Sequence, residues 1–145
     1  MRKLRTFLAL DGADRLASIE AMTLILVAKL LVVRVPPRRW RARLDTDHQP
    51  DDTYHDVATV RRVRLAIQRA LANVPGAPNC LPQALAARWM LERRGIASRL
   101  YIGTAPDEAG TPRFHAWLKV GDEWVTGLCD EASYILFQTE SASTV

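Results

Sequence analysis

Two cysteines stand in a chain of 145 residues. A small secreted domain held by disulfides carries more, so the expected compartment is a reducing one: a cytoplasmic protein with Cys80 and Cys129 as free thiols. Aromatic residues are also scarce, at 7%. The basic residues come without stacking aromatics or a nucleic-acid motif, so no nucleic-acid partner is expected. Pairs of Cys or His at short ligand spacing are missing. A metal site built from Cys80, His115 and Cys129 therefore lacks the usual signature, and neither a metal nor a cofactor is expected. Long apolar runs are absent too. In the opening MRKLRTFLAL the apolar stretch covers only residues 7–10 before Asp11 and Asp14, too short for a signal peptide. Residues 21–35, AMTLILVAKLLVVRV, contain Lys29 and Arg34. They fall short of the ~20 apolar residues of a spanning helix. The expectation is a helix buried on most sides and no transmembrane span, with a helix resting on a membrane or a partner as the alternative.

What is present is enough to fold. Hydrophobic residues make up 48% of the chain, which supports a packed core and excludes a disordered one. The net charge is +4, with Arg gathered at Arg38, Arg39, Arg41 and Arg43, at Arg61, Arg62 and Arg64, and at Arg93 and Arg94. These clusters read as solvated faces, or alternatively as docking points for an acidic peptide or partner protein.

The order of elements follows from periodicity and breakers. Residues 13–35 read as a helix with Asp14 as N-cap, stopped by Pro36-Pro37. Residues 45–55 are polar and acidic and read as a linker between a helical arm, 1–44, and a core, 56–137, within one compact domain. Residues 56–74 form a second helix. A third runs from CLPQAL to Gly95, and Pro82 fixes its start because proline is tolerated only in the first turn. Cys80 therefore opens that helix. Residues 98–104, 114–120 and 123–128 alternate as strands, with a Gly121-Asp122 turn between the last two and a short strand at 134–137. Helices first and strands after indicate an α+β domain with N-terminal helices packed on a small antiparallel sheet.

This arrangement points to thiol chemistry. A cysteine attacks as thiolate, and a helix N-terminus lowers the cost of that charge. The backbone N–H of Cys80 is the natural donor to an oxyanion. Of the three histidines, His48 lies in the linker and His55 just before the second helix, whereas His115 lies inside a strand between Phe114 and Ala116. An imidazole on a rigid strand is aimed and partly desolvated, as a general base requires. The alternatives for each residue alone are a small buried Cys and a structural His. Cys129 reads as a buried strand-end residue, and Trp117 and Trp124 as core or cross-strand neighbours.

The segments Asn79-Cys80-Leu81-Pro82-Gln83-Ala84-Leu85, Arg94-Gly95-Ile96 and His115-Ala116-Trp117 resemble the lasso-peptide maturation peptidases of the transglutaminase-like (papain-like) superfamily. The resemblance covers most of residues 1–128. It implies a cysteine peptidase that cleaves the leader from a ribosomally made precursor peptide through a thioester at Cys80, with His115 as general base and acid. It also implies as partners the precursor, a small leader-binding protein and an ATP-dependent macrolactam cyclase. The family's third catalytic residue, an Asp about twelve positions after the His, falls on Gly127 here. Asp130 is the expected substitute, and a backbone carbonyl or Thr126 is the alternative support for the imidazole. The competing functions are a non-catalytic adaptor that holds the precursor and an acyl-transferring transglutaminase.

Overall fold

A computed structural model of the chain describes residues 7–36, 56–76 and 79–137. Three helices, α1 (Gly12–Arg34), α2 (Val57–Leu71) and α3 (Cys80–Glu92), precede four strands: β1 (Arg99–Pro106), β2 (Pro112–Val120), β3 (Glu123–Thr126) and β4 (Ile135–Leu136). One turn of 3-10 helix, Glu131–Ser133, lies between β3 and β4. The strands form one antiparallel sheet in the order β3-β2-β1-β4. This is the α+β architecture expected of helices packed on a small sheet. The linker at 45–55, the Arg38–Arg43 cluster, His48, His55 and the last eight residues lie outside the described residues.

α1 begins at a cap different from the expected one. The Asp11 carboxylate accepts the Asp14 N–H, so Asp11 is the N-cap and Asp14 sits in the first turn. That frees the Asp14 carboxylate to meet Arg62 and Arg69 of α2. Glu20, nearly two turns further on, takes Arg94 and Arg93 beyond α3. Arg64 reaches Glu123 on β3. Much of the arginine surplus expected on solvated faces therefore ties elements together. These pairs are half-exposed, so each contributes at most about 1 kcal/mol, and their main effect is on register.

The helices approach closely because their facing residues are small. Ala17, Ala21 and Ala28 of α1, Ala66 and Ala70 of α2, and Ala84, Ala86 and Ala87 of α3 are all buried. Ile25, Val60, Val63, Ile67, Met90 and Leu91 fill the space between them. α1 thus shares one core with α2 and α3. The expectation that α1 is covered on most sides does not hold. Only the Ala17, Ser18, Ala21, Ile25, Ala28 face is buried, and Leu16, Ile19, Leu26, Leu30 and Val33 face outward.

β2 has two unlike faces. Ala116, Leu118 and Val120 join the helical core, with Leu100 and Ile102 of β1 packed beside them. Alternation turns His115, Trp117 and Lys119 to the other face. After β3 the chain crosses that face, passes through the 3-10 turn and pairs with the far edge of β1 as β4. This return segment makes a second, smaller layer over Trp117.

Introducing a large side chain into the small-residue helix contact tests the helical layer. Ala21→Leu is expected to lower stability by about 1–3 kcal/mol through overpacking, measured by urea denaturation; an unchanged midpoint would show that α1 does not pack as described.

Candidate active site

Cys80 is the first residue of α3. The preceding Asn79 has N-cap geometry, but its side chain makes no cap hydrogen bond. Pro82 lies in the first turn and has no N–H to satisfy. The first-turn donors left without a side-chain cap are therefore the backbone N–H groups of Cys80 and Leu81, the positions from which an oxyanion can be bound. The Cys80 side chain is half-buried against the helical core.

His115 is half-buried on β2, opposite Gly103 of β1. Its ring stacks on Trp117, centroids 5.8 Å apart, and tilts against Tyr134 at 5.5 Å. Trp117 is 0% exposed and is itself stacked on Tyr101 at 5.6 Å. Gly103 makes this stack possible. A Cβ there would come within 3.1 Å of the Tyr134 Cβ and 3.3 Å of the Trp117 ring.

The imidazole is held by a backbone group. His115 Nε2 lies 2.8 Å from the carbonyl oxygen of Gly127. A carbonyl only accepts, so Nε2 carries the proton and Nδ1 of the neutral ring keeps its lone pair. Gly127 has φ +72, and a Cβ on it would stand 2.5 Å from the Ala116 carbonyl oxygen and 2.9 Å from the Trp117 Cβ. The position expected to carry an orienting carboxylate therefore has no room for a side chain of any kind; the backbone turns its own oxygen to the ring. Asp130 stands elsewhere. Its carboxylate accepts from the Ala132 N–H and the Ser133 hydroxyl and caps the 3-10 turn. Thr126 does not hold the ring either, since its buried hydroxyl has no hydrogen-bond partner.

Among the described residues no hydrogen bond joins the Cys80 thiol to His115. The elements that bear them do touch, α3 packing against β2. Cys129 is a poor second nucleophile. Burial, and then the Glu131 and Asp130 carboxylates, push its thiol above the ordinary value and disfavour the thiolate. Among the described residues no group of three His, Cys, Asp or Glu side chains is placed to hold a metal ion.

Glu131 is the residue that sequence reasoning missed. It accepts from the Trp117 indole at 2.9 Å and from Lys119 at 3.3 Å. It thereby pins the return segment to the buried ring that backs His115. The Trp117 hydrogen bond, then Lys119, holds its carboxyl below the ordinary 4.5. No sequence signal marks it, because an i to i+14 contact has no period.

Two outcomes follow. Gly127→Ala is expected to cost more than about 2 kcal/mol, from a forced positive φ and a clash with backbone, read as a lowered Tm; a neutral substitution would mean the carbonyl is not held as described. Glu131 has a lowered folded pKa, so its contribution to stability is fully present above pH 4.5 and is lost as pH falls through the lower folded value. The Trp117 indole N–H resonance is expected to shift over that acidic window in wild type and not in Glu131→Gln; the same acidic shift in both would contradict the contact.

The sequence model of the transglutaminase-like superfamily matches residues 22–136. No curated protein and no solved structure matches the chain. The matched span takes in α3 with Cys80, β2 with His115 and the return segment with Gly127. It covers well over half of the 145 residues. The chain is a member of the transglutaminase-like superfamily.

Proposed function

We propose that the protein is a cysteine peptidase that removes the leader from a ribosomally made lasso-peptide precursor, with Cys80 as nucleophile and His115 as base and then acid. The superfamily includes both cysteine peptidases and transglutaminases, so thiol acyl chemistry is its common ground. The observation that carries the reading is the 2.8 Å contact of His115 Nε2 with the Gly127 carbonyl. It fixes the ring and leaves Nδ1 as the basic nitrogen. The CLPQAL and HAW segments supply the narrower, lasso-peptide part of the reading.

On this reading the Cys80 sulfur attacks the carbonyl carbon of the leader–core bond, and the thiol proton passes to Nδ1 of His115. The Cys80 and Leu81 N–H groups face the oxygen as it gains charge. The C–N bond breaks as Nδ1 returns the proton to the leaving amine. Water then attacks the thioester, giving up a proton through Nδ1, and the leader leaves with a free carboxylate. The imidazolium formed in between is stabilised by the Gly127 carbonyl dipole, a weaker partner than a carboxylate. Cysteine tolerates this because it is intrinsically nucleophilic. The reading requires thiol and imidazole to come within hydrogen-bonding range when substrate binds, although Cys80 packs on the helical side of β2 and the His115 ring on its other face. β3 pairs with β2 only over Leu118–Val120.

The precursor, a small leader-binding protein and the ATP-dependent cyclase are the partners this role requires. The second reading, a non-catalytic adaptor, draws on the missing carboxylate at position 127 and the absent Cys80–His115 hydrogen bond.

Incubation of precursor and leader-binding protein with wild type, Cys80→Ala and His115→Ala separates the two, with cleavage followed by mass spectrometry. The expected result is cleavage by wild type and at least about a thousandfold loss in each variant. Equal cleavage by wild type and Cys80→Ala removes the nucleophile, and binding without cleavage by all three supports the adaptor. An amine adduct at the new carboxyl end would indicate acyl transfer.

A further inference from the structure

We infer that the outward face of α1 seats the protein on an anionic lipid surface. Leu16, Ile19, Leu26, Val27, Leu30 and Val33 recur at helical spacing and are all exposed, Leu16 at 70% and Val33 at 74%. From Leu16 to Val33 the stripe runs roughly 25 Å along the helix. A contiguous aliphatic band of this kind on a small domain marks an interaction surface.

The distribution of charge selects the occupant. Both carboxylates within α1, Asp14 and Glu20, point into the protein and are paired with arginines. Lys29 is also turned aside, onto the Gly76 carbonyl at 3.2 Å. Between Leu16 and Val33 the outward face therefore shows no charge. The cations lie at the two ends in sequence: Arg2, Lys3 and Arg5 before the helix, and Arg34, Arg38, Arg39, Arg41 and Arg43 at and after its end. An apolar band that basic residues precede and follow in the sequence suits an apolar layer under anionic headgroups.

The helix lies on the surface and does not cross it. α1 is long and apolar enough to span by length and composition. Its other face is locked to α2 and α3 through Ala17, Ala21 and Ile25 and through Asp14 and Glu20. A spanning position would strip that core and carry both ion-pair sets into hydrocarbon.

The test is sedimentation of the full chain with vesicles of phosphatidylcholine alone or with phosphatidylglycerol added, comparing wild type with Leu26→Ser/Leu30→Ser/Val33→Ser. Circular dichroism shows that the variant keeps its fold; these side chains already face water. Wild type is expected to bind the anionic vesicles, to release as salt rises and to be extracted by alkaline carbonate. The variant is expected to need more than about tenfold more lipid for half-binding. Failure of wild type to bind anionic vesicles, or equal binding by the folded variant, overturns the inference. So does resistance to carbonate, which indicates a span, or a wild-type dimer in solution that the variant abolishes, which assigns the stripe to a second copy.

Discussion

The carbonyl of Gly127 is the point on which the account of this site turns. A histidine that serves as base must present one nitrogen to the reacting group, and something must hold the other. Here the holding group is a peptide oxygen at 2.8 Å, delivered by a left-handed residue immediately after β3. The geometry that delivers it also forbids a side chain at 127, because Ala116 and Trp117 occupy the space. Orienting carboxylate and orienting carbonyl are therefore alternatives at this position. The carbonyl sets the tautomer at no desolvation cost of a buried charge, and it gives less stabilisation to the imidazolium.

That contact depends on a second layer of packing. The helical side of the sheet is an aliphatic core, whereas the His115 side is aromatic: Tyr101 and Tyr134 each pack against Trp117. Trp117 is the pivot, a large ring with no exposed surface whose indole N–H is satisfied by Glu131. Glu131 also draws in Lys119, which lies 5.1 Å over the Trp124 ring. The return segment is thus fixed at Gly127, Glu131, Tyr134 and β4. Asp130 serves this arrangement as a cap, one step removed from the imidazole.

Much of this was legible in the sequence. Pro82 placed Cys80 at a helix start, and the alternation around His115 placed it on a strand, because proline sterics and side-chain period act locally. The Gly121-Asp122 turn gave the β2–β3 hairpin, and the spacing that the family resemblance implies, about twelve residues beyond His115, pointed to 127. What faces the ring there was not legible, since it is a backbone oxygen and carries no letter. The cap at Asp11 was missed because Asp14 offers the same chemistry, and only the α1–α2 contact shows that Asp14 is engaged by Arg62 and Arg69. The exposed stripe of α1 was misread as buried because periodicity tells which residues share a face and not whether a neighbour covers it. Arg62, Arg64 and Arg94 read as surface charge for a similar reason: their partners are distant in the chain.

The most direct test is the tautomer of His115, read from its ring nitrogen shifts by NMR on the uniformly folded protein above the pH at which the ring is neutral. The account predicts a protonated Nε2, hydrogen-bonded to the Gly127 carbonyl, and an unprotonated Nδ1. A ring protonated at Nδ1, with Nε2 carrying the lone pair, would contradict it.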